Sequence, residues 1–159
     1  AIFTAPNRRS LDTLVPYIRA RGAANKFLRT EVHYDLSNAV FLPEQSPQPM
    51  TLEYIKQYGL NRQSLYGVIP GPEDPAAHQK RVVEWYTNHL TPEYRDCPYP
   101  TAIVADRHTI GVLAHYMMLL KGTGTDKSTA DAVYSALIPG AVLEFAFENM
   151  ALVLKRRVI

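Results

Sequence analysis

The side chains best suited to chemistry follow one another in one short polar segment, Asp106, Arg107, His108 and Thr109. The segment comes directly after the apolar run 102–105 and directly before a helical apolar pattern. In open α/β sheets, ligands collect where a strand leads through a loop into a helix, whose free N–H groups attract anions. The pattern therefore predicts an anion site at Arg107, His108 and Thr109. A structural interpretation stays open, in which Asp106 or Thr109 caps the helix and Arg107 faces solvent or a partner.

The other ligand-type side chains predict neither a metal site nor a cofactor. The five histidines show no pair at metal spacing with a nearby carboxylate: His33, His78, His89, His108 and His115. His115 lies on or beside the apolar face of its predicted helix, which favours a packing role. Cys97 is the single cysteine, so an intramolecular disulfide and a cysteine-based zinc site are excluded. This usage favours a reducing intracellular compartment, the cytoplasm or an organelle after presequence removal, over secretion.

Composition predicts one soluble domain over residues 1–159. The chain has a mass of 17.9 kDa and is 47% hydrophobic and 20% charged, which suits a single core. No apolar run approaches the ~20 residues of a membrane span, so we expect no membrane insertion. The formal net charge is only +2. Basic residues nevertheless outnumber acidic ones six to one in residues 1–30, where RNA or a partner could bind: Arg8, Arg9, Arg19, Arg21, Lys26 and Arg29.

The order of predicted elements indicates an α/β domain with a central, mostly parallel sheet flanked by helices. Strands are predicted within residues 1–4, 27–34, 39–42, 64–69 and 102–105. Helices are predicted from Ser10 to Gly22, over 50–58, over 75–90 and from His108 or Thr109 to Gly122, followed by a helical C-terminal block over 125–137 and 141–156. Pro16 should kink the first helix or delay its start. Asp74 is the predicted N-cap of the helix that opens with Pro75.

Two stretches carry a resemblance to a known family. They are Gly-Pro-Glu-Asp-Pro-Ala-Ala-His-Gln-Lys-Arg-Val-Val-Glu-Trp at 71–85 and Thr-Ile-Gly-Val-Leu-Ala-His-Tyr-Met-Met-Leu-Leu-Lys-Gly at 109–122. They resemble the acid loop with its following helix, and the helix after the phosphate loop, of the dual-specificity branch of the protein tyrosine phosphatases. The layout is most similar to the phosphatase of regenerating liver type. The resemblance covers nearly the whole chain as an order of elements, and it implies that family's fold.

The resemblance also implies a phosphate loop of the pattern His-Cys-x5-Arg-Ser/Thr, and here the chain departs from the family. If Arg107 is aligned with the family's Arg, Thr101 occupies the position of the nucleophile. If the helices are aligned without a gap, Ala102 occupies that position and His108 replaces the Arg. A shortened loop puts Ala105 or Asp106 there. No alignment supplies the cysteine whose thiolate attacks phosphorus.

The resemblance therefore predicts a pseudophosphatase, a protein with a tyrosine-phosphatase-like fold and no catalytic residues. Asp74 or Glu73 stands at the family's general-acid position, with Asp74 as its vestige, and the pairing of Asp74 with Pro75 favours an N-cap role for Asp74. We expect a protein-binding or structural subunit of a larger complex, with a ribonucleoprotein as one setting. The alternative is an unconventional phosphoesterase or a phosphate-ligand-binding protein that uses the loop of Asp106, Arg107 and His108.

Overall fold

The chain folds as a mixed α/β protein. A computed structural model describes residues 1–21, 30–39, 65–66, 72–90, 101–119, 125–148 and 151–158. Within these residues the elements are, in chain order, β1 (Ile2–Thr4), α1 (Arg8–Arg21), β2 (Thr30–His33), a 3₁₀ turn (Tyr34–Leu36), β3 (Leu65–Tyr66), α2 (Pro75–His89), β4 (Ala102–Val104), α3 (Arg107–Leu119), α4 (Lys127–Ala136), β5 (Val142–Glu148) and β6 (Ala151–Val158).

Four short strands form a parallel sheet in the order β3, β2, β1, β4. In the central strand β1, Phe3 lies opposite Glu31 of β2 on one side and opposite Ile103 of β4 on the other. The predicted parallel α/β sheet is therefore confirmed. The connection from β1 to β2 and the connection from β3 to β4 run in opposite directions across the sheet. Because parallel crossovers are right-handed, α1 and α2 belong on opposite faces.

The main apolar core lies between one face of the sheet and helices α2 and α3. Phe3 is buried there with Val82 and Trp85 of α2 and Leu113 of α3. Side chains alternate along a strand, so Ile2 and Thr4, which are also buried, point to the opposite face. Both faces of the sheet are therefore covered, as parallel sheets require.

The core also holds a buried acid and imidazole. Glu31 and His33 alternate with apolar positions on β2, and their side chains approach within 3.0 Å, Nε2 to Oε2. The ring of His33 meets those of Phe3, Trp85 and His89 edge to face. Burial of such a pair requires a mutual hydrogen bond, because either group alone would lose its hydration without compensation.

Polar side chains begin the helices. The Asp74 carboxylate accepts a hydrogen bond from the Ala77 amide at 2.7 Å, so the predicted N-cap of α2 is confirmed. The predicted start of the first helix at Ser10 is wrong. Asn7 Oδ1 accepts from the Ser10 amide at 2.8 Å, and the helix begins at Arg8 and continues through Pro16. Likewise, α3 begins at Arg107, one residue before the earlier of the two predicted starts.

The C-terminal block is only partly helical. The helix predicted over 125–137 is confirmed as α4, but the helix predicted over 141–156 is wrong, because β5 and β6 form an antiparallel pair with Glu148 opposite Ala151. The sequence signal is the alternation of large apolar residues with small or acidic ones over 143–148. Leu143, Phe145 and Leu154 pack against buried residues of α3 and α4, which supplies the apolar surface that an isolated hairpin lacks.

Some predicted elements lie outside the described residues. These are the predicted helix over 50–58 and nearly all of the strand predicted over 39–42. Of the strands predicted over 27–34 and 64–69, the described parts are Thr30–His33 and Leu65–Tyr66.

Arg81 of α2 ties that helix to the segment after β2. Its guanidinium forms a two-point ion pair with Glu73 and donates to the backbone carbonyls of Tyr34, Asp35 and Ser37. Both charged side chains of the pair are largely buried. A planar guanidinium can satisfy a carboxylate and several carbonyls at once, which an ammonium cannot do.

We expect Arg81→Met to lower the free energy of unfolding by at least about 2 kcal/mol, because it leaves a partly buried carboxylate and several carbonyls without their hydrogen-bond donor. Lys80→Met is the matched control. Lys80 pairs with Glu84 at 3.8 Å in an exposed position, so its loss should cost less than about 0.5 kcal/mol. Urea unfolding of the three proteins measures both values. Equal midpoints for the two variants would contradict this role of Arg81.

Candidate functional site

The order of strands reverses between β1 and β4, which marks the carboxyl end of these two strands as the natural ligand position of such a sheet. The loops that leave the strands lie side by side there, since the Ala5 amide donates to the Val104 carbonyl at 2.9 Å. Only Ala105 and Asp106 separate β4 from α3. A loop of two residues is too short to wrap around a phosphate group.

Side chains of the two loops bind each other at this position. Asn7 Nδ2 donates to Asp106 Oδ2 at 2.6 Å, while Arg9 Nη2 lies 3.2 Å from Asp106 Oδ1. Asn7 and Arg9 belong to the start of α1, and Asp106 precedes α3. The contact among these three residues, here called the Asp106 tie, therefore fastens one helix start to the other and occupies both oxygens of the carboxylate.

Burial sets the protonation behaviour of Asp106. Its side chain is 13% exposed. Loss of hydration raises the pKa of this carboxyl above its ordinary value, and the positive charge of Arg9, followed by His108, acts in the opposite direction. The carboxylate is thus a partly desolvated charge that depends on its two donors.

The three residues of the predicted anion site diverge. Arg107 is exposed, and its Nη2 lies 3.5 Å from the Ser135 carbonyl oxygen of α4. His108 is exposed and meets the Tyr134 hydroxyl at 3.4 Å. Thr109 is fully buried and donates to the Ser37 carbonyl at 3.3 Å. The anion site at these residues stays a prediction, and their side chains do not converge on one point.

Thr109 also joins α3 to α2 through His78. His78 Nε2 lies 3.2 Å from the Thr109 hydroxyl. A hydroxyl has one proton, and this one goes to Ser37, so it accepts from His78 and Nε2 carries the ring proton. Burial, and then the charge of Arg81, hold the pKa of His78 below its ordinary value, against the attraction of Glu73. The ring is therefore neutral at neutral pH.

A cleft of about 280 Å³ lies between α2, α3 and α4, and His78 is one of the residues that line it. His115 lines it and is held through Nε2 by Asp131 Oδ1 at 2.8 Å, so the ring predicted to have a packing role is hydrogen-bonded across helices. The other lining residues are Ala39, Pro75, His78, Gln79, His108, Val112, Asp131 and Tyr134.

The other candidate residues from the sequence are not among those that line the cleft. Asp74 is exposed at the start of α2. On α1, Arg8 is exposed and pairs with Asp12, and Arg19 is also exposed. The remaining candidates for RNA or partner contact have side chains outside the described residues: Arg21, Lys26 and Arg29.

Sequence reasoning missed the residues that hold the site together. Asn7 had a usable signal, because Pro6 and Asn7 follow a strand and precede an apolar helical pattern. No sequence pattern indicated Arg81 or Asp131. Their partners lie on other elements, except for Glu73, which is too far from Arg81 in the sequence to be its neighbour on a helix face. Their roles depend on tertiary packing.

Comparison with known proteins finds no matching family model, no matching curated protein and no matching solved structure. Across the described ranges, no helix is long and apolar enough to cross a membrane. The same residues contain no group of three or more histidine, cysteine, aspartate or glutamate side chains arranged to hold a metal ion.

The lowered pKa of His78 predicts a specific loss of stability in mild acid. The unfolded chain binds a proton at this ring more readily than the folded chain, so the free energy of unfolding falls as the pH drops below about 6.5. His78→Gln keeps an N–H donor for Thr109 and removes the titration. Between pH 7.5 and pH 5.5 we expect the variant to lose less stability in urea titrations than the original protein, and the exposed control Gln79→Ala, which removes no titratable group, to lose the same amount as the original. If the free energy of unfolding fell equally with pH in all three proteins, the loss of stability could not be assigned to His78.

Proposed function

We propose that this chain is a non-catalytic, phosphatase-like domain that acts by binding protein as a subunit of a larger complex. The observation that carries the proposal is the Asp106 tie. At the sheet edge where an α/β enzyme of this layout holds its reacting groups, the only acidic side chain of the two-residue loop is engaged through both oxygens. A thiol, serine or threonine nucleophile is absent from that loop.

The divergence of the loop's side chains supports the same proposal. An alternative enzyme would use Asp106, Arg107 and His108 together. Asp106 contacts α1, whereas Arg107 and His108 lean toward α4. A nucleophile, an acid and an anion-binding group must all reach one reacting atom, and these three do not.

Exposed apolar side chains on the C-terminal half suit contact with a protein. Ile138 is 51% and Val142 is 57% exposed, at the two ends of the turn between α4 and β5. The turn is fixed by a hydrogen bond from the Ala141 amide to the Ile138 carbonyl at 3.1 Å and by Gly140, whose φ of 87° favours glycine. We therefore expect these two apolar side chains, which the turn holds away from the core, to contact the protein partner.

The test of inactivity uses pure protein with p-nitrophenyl phosphate, a phosphotyrosine peptide and a phosphoinositide. We expect rates at the buffer background, because the loop of Ala105 and Asp106 supplies no thiol or hydroxyl that could form the covalent phosphoenzyme. Asp106→Asn and His108→Ala serve as matched variants. Hydrolysis that either substitution abolishes would overturn the proposal in favour of the unconventional phosphoesterase.

The test of binding uses the tagged protein recovered from its native source and separated by size. We expect it to migrate in a stable particle larger than the monomer, and Ile138→Ser with Val142→Ser to release it. Asp74→Asn, which keeps an N-capping oxygen, is the control that should stay in the particle. Recovery of the original protein only as a free monomer would contradict the proposed role.

A further inference from the structure

Flat rings belong to nearly half of the residues that line the cleft between α2, α3 and α4. Four of its nine lining residues are ring side chains, namely His78, His108, His115 and Tyr134. Imidazole and phenol rings are the surfaces on which the bases of nucleotides and of unpaired RNA stack. Ala39, Pro75 and Val112 add apolar surface between them.

These rings are held in place by other side chains. Each imidazole uses one nitrogen for a neighbour: His78 for Thr109, His108 for Tyr134 and His115 for Asp131. The Tyr134 ring in turn packs on α3 at Gly111, where a Cβ atom would lie 2.6 Å from Tyr134 Cε2. Only a glycine permits this approach. Rings that are fixed before binding lose little conformational entropy when a ligand arrives.

The cleft also offers groups that read the edge of a base. The Gln79 amide presents both a donor and an acceptor, the pair with which glutamine contacts the edge of adenine. The Asp131 carboxylate uses Oδ1 for His115 and has further acceptor capacity, which suits an exocyclic amino group. A mixed polar edge between flat rings matches a heteroaromatic ligand better than a simple anion.

Size and charge at the rim narrow the ligand further. About 280 Å³ lies just below the usual range of about 300–1,000 Å³ for small-molecule sites, so the cleft holds one base rather than a stacked series. Arg107 is exposed, and its contact with the carbonyl of Ser135, the residue after Tyr134, brings a cation near the cleft for a phosphate attached to the bound nucleoside.

We propose that this cleft binds a single nucleobase, stacked against Tyr134 and the imidazoles of His108 and His115, above the buried ring of His78, with its edge read by Gln79 and Asp131. The base comes from a free nucleotide or from single-stranded RNA, since both present the same ring. The inference goes beyond the protein-binding role and does not depend on it. It concerns a different surface from the exposed Ile138 and Val142.

The test follows the ring signals of histidine and tyrosine by NMR while adenosine, uridine, their monophosphates and inorganic phosphate are added separately to the pure protein. We expect the nucleosides and nucleotides to shift the signals of His78, His108, His115 and Tyr134, and phosphate alone to leave His78 and Tyr134 unchanged. Absence of shifts at millimolar nucleoside, or equal shifts with phosphate alone, would overturn the proposal.

Variants separate stacking from a change in folding. Tyr134→Leu should weaken nucleoside binding at least about fivefold, because one stacking partner is lost. Tyr134→Phe keeps the ring and should bind within twofold of the original protein. The exposed Gln79→Ala tests the edge contact without disturbing packing and should also weaken binding. The control Ser135→Ala, on the neighbouring residue of α4, should change nothing. Unaltered affinity in both Tyr134→Leu and Gln79→Ala would refute the site.

A final arm identifies the source of the base. An eight-nucleotide single-stranded RNA that binds more than tenfold tighter than the mononucleotide, and still shifts the Tyr134 signal, assigns the site to RNA. Equal affinities assign it to a free nucleotide. RNA binding that leaves the cleft signals unmoved contradicts the proposal. Each of these experiments uses pure protein. Failure to bind a nucleobase would therefore not contradict the protein-binding role, and failure to find a protein partner would not contradict nucleobase binding.

Discussion

The hydrogen bond from Asn7 to Asp106 joins the two loops on which the rest of the domain depends. The strands of the parallel sheet are two to four residues long, so few backbone hydrogen bonds hold β1 to β4. Asn7 adds a side-chain bond at the point where both strands end and both helices begin. The same residue caps α1, so one amide side chain sets where that helix starts and where α3 lies relative to it.

A second set of side-chain contacts secures the end of β2. The Ser37 carbonyl accepts from Arg81 of α2 and from Thr109 of α3. His78 then joins α2 and α3 directly through the Thr109 hydroxyl. Two helices that share one carbonyl and one hydroxyl cannot shift independently. The walls of the cleft are therefore fixed by buried hydrogen bonds rather than by apolar packing alone.

The sequence was informative where local chemistry decides the structure. Asp74 and Pro75 predicted the start of α2 correctly, because an N-cap and a proline at the first helical position act within one turn. The apolar run before Asp106 predicted β4 for a similar reason. Residues 141–156 were wrongly predicted as a helix because their many apolar residues fit the period of 3.6 residues of a helix as well as the period of two residues of a strand. The pairing of β5 with β6 and packing on α3 and α4 decided the outcome.

Nonlocal contacts explain what the sequence could not predict about the site. The anion site was inferred from the adjacency of Arg107, His108 and Thr109, but adjacent residues on a helix point about 100° apart. The turn of α3 therefore sends one into the core and leaves the other two exposed. The imidazoles of the cleft come from positions too far apart in the sequence for a short motif. His78 lies on α2, for example, and Thr109, to which it is hydrogen-bonded, lies on α3.

A perturbed pKa is often a sign of a catalytic group, and Asp106 shows why geometry must accompany it. Its pKa is raised by burial, as for a general acid, but a general acid must also give its proton to a reacting atom. Asn7 and Arg9 occupy the two oxygens with donors that cannot accept a proton at neutral pH. A substrate that replaced these donors would leave the two helix starts without their connection. The carboxylate is thus held by the same contacts that stabilise the fold, which favours a structural role for it.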